Sequence, residues 1–312
     1  MCGIFGYISN KKPDTQEMSG IVTKMYLECQ NRGKDATGYA YLRDDGGLCY
    51  FKLQGKASEF IKTKRFRSLE YPSIFLAHCR AATHGTPRNN VNNQPIVSKQ
   101  SGMALTHNGV LYYQGSLVKE YKLPLDGECD SEVLLRLIES FNGKDNLVHA
   151  IKKSMSKISG SATFALVKEN VPILYLVKSS NPLNLAYVEE LDALFYASTK
   201  DILKAGLDNV GYLFGYFKIR NRKYNYVVQE VDDDSLIVIE KGGEKKFEIS
   251  QYKVGTKDYS IGYQTTGKQK TWWQEERERE ERSRACNNKP IVIDGQVLTE
   301  TDFNDMRFPE VD

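Results

Sequence analysis

Cysteine stands at position 2, and the run Cys2-Gly3-Ile4-Phe5-Gly6-Tyr7 follows. If the initiator Met1 is removed, one residue carries both a thiol nucleophile and a free α-amine. Reference pKa values are about 8.5 for a thiol and about 7.7–8.0 for an α-amine, so the amine can take the thiol proton near neutral pH. No histidine from elsewhere in the chain is then needed as base. The competing reading is a plain buried first strand, because Gly-Ile-Phe-Gly-Tyr-Ile has that composition and short motifs recur by chance.

Three internal segments carry residue types suited to amide chemistry. In Ala77-His78-Cys79-Arg80-Ala81-Ala82-Thr83-His84-Gly85, Arg80 offers a planar fork that matches a carboxylate, with Thr83 and His84 as nearby hydrogen-bonding groups. A surface arginine at a strand end explains the same residues. In Thr106-His107-Asn108-Gly109, the Asn108 amide and the Gly109 N–H form a natural pair of donors to a developing oxyanion. Loss of one such donor costs about 3 kcal/mol. The commoner meaning of Asn-Gly is a tight turn, here between Thr106 and Val110-Leu111-Tyr112-Tyr113. In Gly127-Glu128-Cys129-Asp130-Ser131-Glu132, Asp130 is suited to receive an ammonium group, and equally suited to cap the helix that follows.

The elements that must position these residues are legible as mixed α and β. Strand-like runs are expected at 3–8, 38–42, 49–53, 74–78, 102–106, 162–167, 173–177, 193–197, 215–219, 226–230 and 236–240. Helical periodicity marks Thr15–Gln30, Ser131–Phe141 and Asp145–Ser159. Many strands with few, clustered helices favour stacked sheets covered by helices over a doubly wound sheet. No phosphate-binding glycine loop follows a strand.

The 312 residues, 40% hydrophobic and 27% charged, suit a large domain with an extension. A net charge of +3 does not point to nucleic acid. No apolar run approaches the roughly 18 residues of a membrane span. The first residues lack the basic leader and length of a signal peptide. The six cysteines lack CxxC spacing, which argues against zinc and against a disulfide framework. A cytoplasmic protein is expected. Beyond residue 245 the chain changes character. Trp272-Trp273 precedes a Glu/Arg run at 275–284 with i,i+4 pairing, and a hairpin is expected around Asp294-Gly295.

Taken jointly and in order, these segments resemble the class II glutamine amidotransferases, whose glutaminase domains are N-terminal-nucleophile hydrolases. The matching pieces are Cys2-Gly3-Ile4-Phe5-Gly6, Asn31-Arg32-Gly33-Lys34-Asp35-Ala36-Thr37-Gly38 and Arg80 to Gly85. They continue with Asn92-Asn93-Gln94-Pro95, His107-Asn108-Gly109, Cys129-Asp130-Ser131-Glu132 and Ser180-Asn181-Pro182-Leu183. The resemblance covers about residues 2 to 240. It implies an α+β fold, a four-layer α/β/β/α sandwich of two stacked antiparallel sheets, with the domain at residues 1–245 and a C-terminal extension at 246–312.

By motif match, Cys2 would attack the glutamine side-chain amide with its own α-amine as base, and Asn108 with Gly109 would hold the oxyanion. Arg80 would bind the α-carboxylate and Asp130 the α-ammonium, with Thr83 and His84 lining the pocket and Arg32 in a supporting role. Free glutamine is a zwitterion, so a site that selects it needs one cation and one anion. No metal or cofactor is implied. The implied product is ammonia for a separate synthase subunit, since the tail shows no synthase signature, and Trp272-Trp273 with the charged run could dock that partner. Ala81 stands where the sugar-phosphate aminotransferase branch has tryptophan, while Gln30 to Asp35 and Gln94-Pro95 look more like the phosphoribosyl and asparagine-forming branches. The alternatives are an N-terminal-nucleophile hydrolase of another amide and a non-catalytic module of the same fold.

Overall fold

A computed structural model describes residues 2–143, 146–208, 224–242 and 247–254, together with the backbone of 291–293 and 296–298. In chain order the elements are β1 (Gly3–Ser9), α1 (Thr15–Cys29), β2 (Ala36–Leu42), β3 (Leu48–Gln54), α2 (Ala57–Phe60), α3 (Lys64–Arg67) and β4 (Ile74–Arg80). Next come β5 (Ile96–Ser98), β6 (Met103–Tyr112), α4 (Gln114–Tyr121), α5 (Asp130–Phe141), α6 (Leu147–Met155), β7 (Ser159–Lys168) and β8 (Val171–Lys178). The chain continues through β9 (Asn184–Val188), β10 (Ala193–Ala197), α7 (Lys200–Leu207), β11 (Val228–Glu230), β12 (Ser235–Glu240) and β13 (Glu248–Lys253). Last are β14 (Ile291–Ile293) and β15 (Gln296–Leu298).

The strands form a seven-stranded sheet in the order β11-β9-β10-β1-β4-β2-β3 and a six-stranded sheet in the order β13-β12-β8-β7-β6-β5. Their pairings are antiparallel throughout. Strand side chains alternate between faces, and each sheet spends one face on helices. Phe5 and Tyr7 of β1 share a core with Ile21, Met25 and Tyr26 of α1 and Ile202 and Leu203 of α7. Leu105 and Leu111 of β6 share another with Leu134, Leu135 and Ile138 of α5 and Ile151 of α6. The remaining faces meet: β6 packs on β1 and β4, and His78 Nε2 of β4 donates to the His107 carbonyl of β6 at 3.1 Å. The result is the expected four-layer α/β/β/α sandwich.

The helix starts follow local chemistry. Asp14 caps α1 by accepting from the Glu17 N–H at 2.8 Å, and Asn146 caps α6 by accepting from Val148 N–H at 2.9 Å. Two expectations give way. The Asn108-Gly109 turn does not exist, because both residues lie inside β6, opposite Thr163 and Ala162 of β7. Strand β13 pairs with β12 along its whole length, carrying the second sheet past residue 245, and the first compact unit runs to Asp258. A second unit, Tyr259–Asp312, contains the expected hairpin, with Ile291 opposite Leu298 and Ile293 opposite Gln296. The strand expected at 215–219, Trp272-Trp273 and the charged run at 275–284 lie outside the described residues.

Leu135 is fully buried between α5 and the second sheet. Leu135→Ala is expected to cost about 2–5 kcal/mol, read as a lowered urea midpoint at unchanged slope. His78 is also fully buried, and burial pulls its pKa from 6.5 down to about 3. A base held neutral in the fold and charged when unfolded destabilises the fold as pH falls from about 6.5 toward about 3. His107, lowered by burial as well, adds the same sign. The measured stability should therefore decline over this interval, and His78→Gln should flatten the decline.

Candidate active site

Cys2 immediately precedes β1, whose first residue Gly3 pairs with Cys79 of β4. That register sets Cys2 beside the end of β4. Its Sγ donates to the Ala81 carbonyl at 3.4 Å, and Arg32 Nε donates to the Cys2 carbonyl at 2.9 Å. Arg32 sits in the turn after α1, where Gly33 permits close approach to β4: a Cβ there would lie 2.3 Å from the Arg80 carbonyl carbon. Asp35 completes the contact by accepting from the Ala82 N–H at 2.7 Å. Burial pushes the Cys2 thiol up to about 11, against a weaker opposing pull from the Ala81 hydrogen bond. The resting sulfur is a thiol at neutral pH, so attack requires a base.

Arg80 ends β4 only 2% exposed. Nη1 donates to Asn93 Oδ1 at 2.8 Å, and Nη2 donates to the carbonyls of His84 at 2.5 Å and Gly85 at 2.8 Å. Both hydrogens of Nη2 are thus spent on the loop that follows, and one remains on Nη1. Thr83 is exposed on this loop. His84 reaches the other way, its Nδ1 3.9 Å from Asp130 Oδ2, so one residue links the guanidinium to the carboxylate.

Asp130 does not cap α5. Cys129 occupies the cap position, and Asp130 is the first helical residue. Its Oδ1 accepts from Ser131 N–H at 2.9 Å, and its Oδ2 accepts from Leu111 N–H of β6 at 3.0 Å. Before it, Glu132 accepts the N–H groups of Asp126 and Gly127 at 2.9 and 2.8 Å, which folds the loop against α5.

Asn108 is 1% exposed in β6, and its Nδ2 is buried with no hydrogen-bond partner. Its backbone carbonyl is held by Asn181 Nδ2 at 2.9 Å. A buried amide donor left open is costly unless something fills it. Gly109 is obligatory in this packing, since a Cβ would fall 2.0 Å from the Ser161 carbonyl oxygen. Next to them, His107 Nε2 donates to the Ser161 carbonyl at 3.3 Å, so Nδ1 is the acceptor and Ser131 Oγ–H donates to it at 2.9 Å. Gln94 Nε2 donates to Ser131 Oγ at 3.0 Å, and Gln94 Oε1 accepts from His107 N–H at 2.5 Å.

An open cavity of about 650 Å³ lies beside these groups, lined by His84, Val110, Leu111, Tyr112, Tyr113 and Gln114. Among the described residues no group of three His, Cys, Asp or Glu side chains converges on a point that would hold a metal ion. The structure therefore gathers Cys2 and Arg32 at one end of β4, Arg80, His84 and Asp130 in one linked set, and Asn108 with Gly109 on the strand across from them. Sequence reasoning gave no part to Asn93, Gln94, Ser131 or Asn181. Their only signal was membership of the quoted motifs, because a buried carboxamide that organises a site reads like any loop asparagine or glutamine.

Residues 78–205 match the family model described as a glutamine amidotransferase domain. The glutamine–fructose-6-phosphate aminotransferase of Helicobacter pylori (strain J99) is 33% identical over 216 residues, 67% of this chain and 34% of that protein. The enzyme of the same name from Pyrobaculum aerophilum is 33% identical over 189 residues, 59% of this chain and 30% of its own length. The chain thus spans about a third of the length of these curated relatives. In structure, the glutamine phosphoribosylpyrophosphate amidotransferase from B. subtilis superposes with a TM-score of 0.62 at 21% identity, over 81% of this chain and 49% of that one. That likeness shows a shared fold. Together with the Cys2, Arg80, Asn108 and Asp130 arrangement, these matches identify the chain as carrying a class II glutamine amidotransferase domain.

Proposed function

We propose that the chain hydrolyses the side-chain amide of free glutamine. Once Met1 is removed, the α-amine of Cys2 takes the thiol proton while Sγ attacks the amide carbon. The carbonyl oxygen becomes an oxyanion between Asn108 Nδ2 and the Gly109 N–H. The amine returns its proton to the leaving nitrogen, the C–N bond breaks, ammonia departs, and a thioester to Cys2 remains. Water, deprotonated by the same amine, attacks the thioester and releases glutamate and the thiol. Asp130 receives the substrate ammonium, with His84 beside it. Arg80 supplies positive charge and its remaining Nη1 hydrogen to the carboxylate, and shapes the Thr83–Gly85 loop through its other donors. Arg32 fixes the backbone of Cys2.

The observation that carries this reading is the buried, unpartnered Nδ2 of Asn108 in a strand packed against the one that Cys2 leads into. A binding module of the same fold gains nothing from an orphan donor there. The ammonia passes to an acceptor-modifying synthase on a separate subunit, and the unit beyond Asp258 is the candidate for docking it. The protein acts in the cytoplasm, where its cysteines stay reduced.

Ammonia release from glutamine by the purified chain decides the matter, with mass spectrometry to establish whether Cys2 is the first residue. Cys2→Ala is expected to abolish release while leaving the melting temperature unchanged, and undiminished release would reject the mechanism. Asn108→Ala should lower kcat by about 10²–10³ with little change in KM. Arg80→Lys should raise KM steeply, because an ammonium cannot keep the three hydrogen bonds and also face a carboxylate.

A further inference from the structure

Residues 91–95 stand behind both halves of the site. Asn93 accepts from Arg80 and in turn donates through Nδ2 to the Pro87 carbonyl at 2.9 Å and Asn90 Oδ1 at 3.0 Å. Its neighbour Gln94 grips His107 of β6 and Ser131 of α5. One dipeptide therefore aims the guanidinium and also ties the strand that bears Asn108 to the helix that starts with Asp130. Asn92, Asn93 and Gln94 are all buried.

The backbone of this segment converges on a single cation. Lys52 Nζ of β3 donates to the carbonyls of Val91 at 3.3 Å, Asn93 at 2.6 Å and Pro95 at 3.1 Å. An ammonium has three hydrogens, and here all three are used. Among the described residues no carboxylate lies within ion-pair distance of it. The strand's backbone joins in, since Asn90 Nδ2 donates to the Lys52 carbonyl at 3.0 Å.

We propose that Lys52 is a positioning residue for glutamine binding, holding the 91–95 segment so that Asn93 aims Arg80 and Gln94 seats β6 on α5. The proposal rests on the glutaminase reading. The clamp needs the protonated form, because a neutral amine keeps two N–H groups and turns a lone pair toward the third carbonyl. Burial lowers the Lys52 pKa to about 8. The titratable groups that face it are the Cys129 thiol just before α5 and the Glu132 carboxylate within it, which favour the ammonium, and Arg80 of β4, which opposes it, with the buried, neutral His78 of β4 alongside. Burial raises the Cys129 thiol.

The sign separates clamping from folding. A lysine whose folded pKa lies below its unfolded value of about 10.4 penalises the fold below pH about 8, and the penalty fades as pH rises further. In that interval Lys52 makes the fold more stable while its grip on the segment weakens. Glutamine affinity should fall where Lys52 itself favours the fold.

The test is calorimetric titration of glutamine into the full chain carrying Cys2→Ala, alone and with Lys52→Met or Lys52→Arg added. Lys52→Met is expected to weaken Kd about tenfold at pH 7. Lys52→Arg, which stays charged, should lose less affinity between pH 7 and 9 than the Cys2→Ala parent. The substrate's own ammonium titrates equally in both, so the difference belongs to Lys52. Unchanged Kd in the Lys52→Met chain, or the same pH dependence in parent and Lys52→Arg, overturns the proposal, and the second comparison decides if Lys52→Met does not fold. A parent that binds no glutamine at any pH overturns the glutaminase reading itself, a separate result.

Discussion

Burying the charge of Arg80 is the constraint on which the site is built. Taking a guanidinium out of water costs several kcal/mol unless its hydrogens are met. Among the described residues no carboxylate pairs with it. Carbonyl oxygens of His84 and Gly85 and the amide oxygen of Asn93 meet it instead. To deliver those oxygens, the chain after β4 must curl back on itself, and the 91–95 segment must come within reach. That curl sets the His84 ring toward Asp130. The carbonyl that accepts from the Cys2 thiol belongs to Ala81, the residue directly after the arginine. Satisfying one cation thus draws Ala81 beside Cys2, the His84–Gly85 loop and the Asp130 carboxylate into one neighbourhood.

The sandwich explains why those groups meet from distant places in the chain. Cys2 leads into β1, Arg80 ends β4 and Asn108 lies in β6, so two strands come from one sheet and the third from its partner across the interior. The His78 bond to the His107 carbonyl spans that gap one residue before Asn108. Gly33 and Gly109 mark two of the places where backbones approach too closely for any side chain, one beside Arg80 and one beside Ser161.

Much of this was legible in the residues. Apolar, β-branched and aromatic runs announced β1, β4, β7 and β12, which are buried on both faces between the helices and the facing sheet. The apolar stripe Leu134, Leu135, Ile138 announced α5. Failures have identifiable causes. Asn108-Gly109 carries turn chemistry, yet it lies in a strand because ladder bonds from β7 and crowding at Ser161 outweigh a local preference. Asp130 has the composition of a cap, yet tertiary contact with Leu111 claims its side chain. The three-residue strand β5 and the four-residue helices α2 and α3 have too few residues for a period to register. Lys52 was invisible for another reason: a lysine in a strand reads as solvent-facing, and only the folded chain supplies three carbonyls at its tip.

The position of β1 in the seven-stranded sheet has a bearing on how this protein fails. It is flanked on both sides, by β10 and by β4, and five and six residue pairings respectively hold it. A terminal segment commonly frays ahead of the rest of a domain, opening at little free-energy cost. Here β1 is an interior strand, and peeling it away would split the sheet in two. Heat inactivation and loss of tertiary structure should accordingly follow a single curve, with no cooler interval in which an intact domain has already mislaid its sulfur.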